Sequence, residues 1–334
     1  MYQVELLASH RGWQEDRMIT PVMMGGDGPN EEELGPVGSM RRGLECVPDK
    51  VIFTYLDGRG EETLSLTYAG LDAASCSAAS LLAAQGTVPG DRVLLVHPPG
   101  PHFIIALMGC LRAGVVAVPY PPPPPGKFLR EQGAALRQVA ENCGARLALT
   151  TPGYLWIARL AALKARVAGH KGAWPTALRW VAGPGQPPAT DRRNPPPDAP
   201  GMDDIAILQY TSGSTGSPKG VEITHRALAH NVGLIARSMG FWETIKEPRC
   251  FGVSWLPHFH DMGLIGGFLV PLRLGAEAPE GSRSHRFAVY MSPVDFLRDP
   301  LLWPRALSRY RAPTTLGPAF AYGLVARHAR AAAG

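Results

Sequence analysis

A glycine- and hydroxyl-rich run, set between an apolar run and an amphipathic one, constrains this chain more than any other feature. Residues Tyr210–Gly220 read Y-T-S-G-S-T-G-S-P-K-G. They bring together the hydroxyls of Thr211, Ser212, Ser214 and Thr215, the glycines Gly213, Gly216 and Gly220, and the amine of Lys219. Glycines allow positive φ and let backbone N–H groups approach a ligand. Hydroxyls donate to phosphate oxygens, and a lysine adds a compact positive charge. The apolar run Ile205–Leu208 precedes the loop and predicts a buried strand. An amphipathic segment from about Thr224 follows it. Strand, glycine-rich loop and helix in that order suit a polyphosphate. The spacing is not that of the P-loop nucleotide-binding motif, because no Ser or Thr follows Gly-Lys at the required place.

The rest of the chain has the same alternation. Lys50–Tyr55 and Leu64–Thr67 predict short strands around an Asp57-Gly58 turn. Leu71–Ala84 predicts a helix stopped by Gly86. Strand Arg92–His97, helix Phe103–Ala113 and strand Val115–Val118 follow. Helix Gln132–Ala145 and strands Leu147–Thr150 and Leu178–Val181 come next. Beyond the loop the pattern gives helix Ala227–Met239 and strand Cys250–Trp255. Alternating apolar strands and helices imply an α/β fold with mostly parallel sheets flanked by helices. The proline run Pro121–Pro125 reads either as a stiff loop or as a ligand for a proline-binding module. Gly183–Pro200 holds seven prolines and marks the best boundary. The expected organisation is a loosely ordered extension over 1–42, a first α/β subdomain over 43–199 and a second, incomplete one over 200–334.

Composition excludes several classes. The net charge of +5 comes without a long Lys/Arg run or interleaved aromatics, so no nucleic-acid footprint is expected. The five cysteines are widely spaced, with neither zinc-ligand nor disulfide-framework spacing; reduced thiols and a cytoplasmic setting follow. Glu5, Glu15, Asp16 and Glu31–Glu33 argue against a secretory signal or transit peptide. The longest apolar stretch, Phe103–Tyr120, is broken by Arg112, Gly114 and Pro119. A membrane span needs ~20 predominantly apolar residues, so none is expected.

A second block, Ser254–Gly267, reads S-W-L-P-H-F-H-D-M-G-L-I-G-G. The loop T-S-G-S-T-G-S-P-K-G resembles the phosphate loop of the acyl-adenylate-forming superfamily. The H-D-M-G-L-I-G-G string is similar to that of its fatty acyl-AMP ligase branch. Segments Gly109–Pro119, Met291–Leu297 and Gly317–Tyr322 resemble the same branch, so the likeness runs from about Asp49 to the end. It implies that Thr211, Ser212, Gly213, Ser214, Thr215, Gly216 and Lys219 hold the β- and γ-phosphates of Mg-ATP. It also implies that His260 borders the acyl carboxylate and the α-phosphate, where it stabilises charge. Asp261 orients His260 or its loop rather than acting as a base, since a carboxylic acid is already ionised at neutral pH. Trp255 and Met262 suit either an acyl tunnel or a packed core. Gly263, Gly266 and Gly267 permit close backbone approach. Gly317 and Phe320, with Tyr322, fall where relatives build the fatty-acyl wall; a buried helix start is the alternative. No protein-held metal is expected, because His258, His260 and Asp261 lack a further ligand at recognisable spacing.

The activity implied by the resemblance is ATP-dependent adenylation of a fatty acid, followed by transfer to an acyl carrier protein or a polyketide synthase module. A fatty acid–CoA ligase, a non-catalytic adenylate-binding regulator and a loading module of an assembly line remain open at this point. Family members continue past the position of Gly334. They add a Tyr-Gly-x-acid adenine segment, a ribose-binding Asp and a mobile domain bearing a catalytic lysine. These 334 residues alone are therefore expected not to turn over. Ala276–Phe287, polar and without an apolar period, is expected to be a surface insertion.

Overall fold

The computed structural model describes residues 34–124, 129–167, 174–184, 200–211, 218–246, 250–278 and 286–333. All of these lie in the unit Glu31–Gly334.

Two sheets carry the fold. β1 (Val51–Leu56) and β2 (Glu62–Thr67) form the expected hairpin, and both join β9 (Gly252–Ser254) and β10 (Ala288–Tyr290) in the order β2-β1-β10-β9. β1 runs parallel to β10, with Phe53 opposite Ala288. The second sheet comprises β3 (Arg92–Leu95), β4 (Val116–Pro119), β5 (Leu147–Thr150), β6 (Arg179–Ala182), β7 (Ile205–Thr211) and β8 (Lys219–Thr224). Its order is β6-β5-β3-β4-β7-β8. All its pairs are parallel except the β7–β8 hairpin. Sheet membership thus crosses the proline-rich boundary in both directions.

The core explains this interleaving. α3 (His102–Arg112) is buried without a break from Phe103 to Arg112. A helix apolar all round has no solvent face to offer and must be enclosed. Its side chains share one cluster with Ile52 and Phe53 of β1, Val93 and Leu95 of β3, and Leu71 and Leu82 of α2 (Tyr68–Ala84). Arg112 stays inside by pairing with Asp72 of α2.

The structure departs from the sequence expectation in four places. Residues Pro36–Cys46 form helix α1, where a loose extension through 42 was expected. Pro36 begins it, and Val37, Met40 and Gly43 are buried; residues 1–33 lie outside the described residues. After the expected helix, α4 (Leu129–Cys143), an unforeseen helix, α5 (Pro152–Val167), links β5 to β6. The loop leads into a strand, β8, before helix α6 (His225–Ser238), so the motif is strand, loop, strand, helix. The edges of Ala276–Phe287 are packed rather than superficial. Ala276, Ala278 and Phe287 are buried. The Lys50 amine donates to Gly275 O at 2.9 Å and sits 4.7 Å from the Phe287 ring centre. Arg286 holds Glu62 through two nitrogens. Residues 279–285 lie outside the described set.

Candidate functional site

The hairpin sets the frame of the loop. Thr211 and Lys219 face each other in the last rung of β7–β8, which fixes the two ends of the segment between them. Ser212, Gly213, Ser214, Thr215 and Gly216 lie outside the described residues. Gly220 follows Lys219 for a packing reason. A Cβ there would stand 2.9 Å from Leu208 Cδ1 and 3.1 Å from Tyr210 Cζ, both on the opposing strand. Lys219 itself is exposed. Among the described residues its amine has no ion-pair partner, which leaves the charge available to an anion.

The second block is tied to this hairpin. Gln209 on β7 donates through Nε2 to Phe259 O at 3.1 Å, inside the H-F-H-D turn. The turn is also anchored to the carboxyl end of β3. His258 is buried, its ring stacks on Phe103 at 4.2 Å, and its Nε2 donates to His97 O at 3.2 Å. Burial lowers the His258 pKa to about 4, so it is neutral and structural. His97 is also fully buried, and its pKa is pushed well down, first by burial and then by His258 and His102. The turn therefore sits outside the carboxyl ends of parallel strands, the usual place for a ligand in such sheets.

The next residues in the turn point outward. His260 and Asp261 are 62% and 68% exposed, with Nδ1 and Oδ1 2.6 Å apart. Asp261 Oδ1 also accepts from Met262 N at 2.7 Å. One carboxylate thus fixes the imidazole and caps the following helix. That helix, Met262–Leu269, is a π-helix; such turns are uncommon and concentrate at functional sites. Gly263 is required at its start, because a Cβ would fall 2.1 Å from Pro257 O. Nε2 of His260 has no partner among the described residues and is free to meet a ligand.

A shallow, open cleft lies beside the π-helix. Ser254, Gly266, Gly267, Tyr290, Thr315 and Leu316 are among its lining residues. Sequence reasoning named only the two glycines here; nothing in the local pattern sets Ser254, Tyr290, Thr315 or Leu316 apart from ordinary packing residues. The expected acyl-wall residues Trp255, Gly317 and Phe320 meet in an aromatic cluster. Trp255 is buried, stacked on Phe296 at 4.0 Å and edge-on to Trp303 and Phe320. Gly317 packs against the same Trp303 ring. Trp255, Gly317 and Phe320 thus share one aromatic cluster around Trp303. Among the described residues no group of three or more His, Cys, Asp or Glu could hold a metal ion. No helix among them is long and apolar enough to cross a membrane.

A profile of the family "AMP-binding enzyme" matches residues 40–333. The medium-chain-fatty-acid acyl-carrier-protein ligase JamA of Moorena producens is 34% identical over 270 residues, 81% of this chain and 42% of that protein. The long-chain-fatty-acid–AMP ligase FadD32 of Mycolicibacterium smegmatis is 34% identical over 294 residues, 86% of this chain and 42% of that one. A solved fatty acyl-adenylate ligase of Legionella pneumophila, in complex with acyl adenylate and pyrophosphate, superposes with a TM-score of 0.66 at 30% identity. That match covers 86% of this chain and 45% of the solved one. The chain spans about two fifths of the length of the two curated relatives.

Proposed function

Because this chain belongs to the AMP-binding enzyme family, we propose that it carries the phosphate-binding half of a fatty acid adenylation site. A carboxylate oxygen of the fatty acid attacks the α-phosphorus of ATP. The bond from that phosphorus to the α–β bridging oxygen breaks, and pyrophosphate leaves with the electron pair. Backbone N–H groups and hydroxyls of Thr211–Gly216, with the Lys219 amine, hold the β- and γ-phosphates of Mg-ATP. His260, steadied by Asp261, faces the charge that develops between carboxylate and α-phosphate; fixed donors in such a place lower the barrier. The donor set fits a polyphosphate: an exposed lysine, without an ion-pair partner among the described residues, begins β8 directly after a run rich in glycine and hydroxyls. Magnesium enters with the nucleotide rather than on a protein cage.

The observation that supports this most is the Gln209–Phe259 hydrogen bond, which ties the loop-bearing strand to the His260 turn. The acyl acceptor we propose is an acyl carrier protein or a polyketide synthase module, by analogy with the relatives' activities. A cytoplasmic setting fits the five free cysteines.

The test is ATP–pyrophosphate exchange by the full protein with medium- and long-chain fatty acids and with amino acids. Fatty acids should drive exchange and amino acids should not. Lys219→Ala should weaken Mg-ATP binding by about 1.5–3 kcal/mol, the worth of a hydrogen bond to a charged group. Exchange driven by amino acids alone, or equal nucleotide affinity in wild type and Lys219→Ala, would overturn the assignment.

A further inference from the structure

Helix α5 has two apolar faces, and only one of them is used by the fold. Tyr154, Ala158 and Ala161 point inward, in a cluster with Trp174 and Leu178. The Tyr154 hydroxyl donates to Pro123 O at 2.7 Å, which fixes the helix against the chain after β4. The outer face carries Trp156, Leu160, Leu163 and Val167, exposed by 73%, 52%, 57% and 81%. Their spacing of four, three and four residues keeps them within an arc of about 60° at 3.6 residues per turn. Single exposed apolar residues are ordinary, but a continuous stripe four large side chains long marks a contact surface.

The flanks say what the stripe meets. Arg159 lies along one border, its guanidinium 5.8 Å from the Trp156 ring centre, and Lys164 lies along the other. The surrounding sequence is one-signed: residues 142–190 contain six Lys or Arg and no Asp or Glu. An apolar ridge bordered by cations, with a tryptophan at one end, is the pattern of a helix that lies in the interface of an anionic bilayer. The shape agrees, since the outer face of a single helix is convex and a fluid acyl phase needs no matching concavity. We propose that α5 seats the protein on the surface of a membrane containing anionic lipid. This stands whether or not the adenylation reading holds.

The experiment is flotation of the full protein with vesicles of phosphatidylcholine alone and of phosphatidylcholine mixed with phosphatidylglycerol. Binding should appear with the mixed vesicles and weaken in high salt. Arg159→Ala/Lys164→Ala should weaken it about 10–30-fold, and Leu160→Glu/Leu163→Glu at least about tenfold. Lipids brominated in their acyl chains should quench wild-type fluorescence, and Trp156→Phe should remove that quenching. This readout on the unaltered protein stands even if the double variants fail to fold. Absence of binding to any vesicle, or unchanged binding in both double variants, would refute the proposal. So would capture of an acidic carrier protein by this face without vesicle binding. Self-association lost in Leu160→Glu/Leu163→Glu, with no vesicle binding, would name a second copy as the occupant and equally refute it.

Discussion

Single residues at the His-rich turn divide into those that hold it and those that meet a ligand. His258 and His260 are two positions apart and chemically similar, yet burial makes one a neutral packing ring and leaves the other exposed. That division has a consequence in pH. An unfolded histidine protonates near ~6.5, whereas folded His258 does so only at about 4. Between these values the unfolded chain binds the extra proton, so stability present at neutral pH is lost as pH falls from about 6.5 to 4. A gap of this size corresponds to ~3 kcal/mol across the window. His97, shifted down for the same first reason, adds to the loss in the same direction. His258→Phe keeps a ring against Phe103 but cannot titrate. It should flatten the dependence of the urea midpoint on pH between 7 and 4.5, whatever it does to stability at pH 7. An undiminished slope would count against the assignment. In the sequence, H-F-H-D pointed to His260 and Asp261 but carried no signal for their surroundings. Gln209 was one polar residue in an apolar strand, and its contact with Phe259 is made across 50 residues.

At the level of elements, legibility followed how one-sided each segment is. β3, β4 and β5, lined by apolar residues on both faces, were read within a residue or two. β8 was missed because Lys219–Thr224 is largely exposed and lacks an apolar run; it is an edge strand, held by pairing with β7 alone. α5 was missed because apolar residues on both its faces blur the helical period, and the excess is the stripe proposed to meet lipid. The segment after Gly275 misled in another way. Its polar middle suggested an insertion, but its ends bind Lys50, Glu62 and the core through residues that no local pattern distinguishes. Deleting Glu277–Arg286 removes buried Ala278, cuts the Arg286–Glu62 pair and pulls on Phe287. The expected loss is about 1–3 kcal/mol, on the scale of a disturbed core position. A melting temperature equal to that of the wild type would mean that the ends re-close without cost.

For the whole molecule, the deciding fact is that neither sheet is built from one continuous stretch of chain. The first takes β1 and β2 from before the proline-rich boundary and β9 and β10 from after it; the second takes β3–β6 from before and β7–β8 from after. The sequence marked the boundary by composition but held no information on which strands pair across it, since pairing depends on long-range registry. A protease site introduced within residues 185–199 should therefore yield two pieces that co-elute in gel filtration and separate only in denaturant. Independent migration of the pieces under native conditions would contradict the interleaved topology. The same topology sets a timetable at the ribosome. Phe53 pairs beside Ala288, 235 positions later in the chain (288 − 53). At ~5–20 residues per second, β1 leaves the exit tunnel about 10–50 s before its partner strand exists. For that interval Ile52 and Phe53, fully buried in the finished fold, have no native neighbour on one side. The nascent chain thus carries a half-partnered apolar strand until β10 emerges, an interval that lengthens in proportion as translation slows.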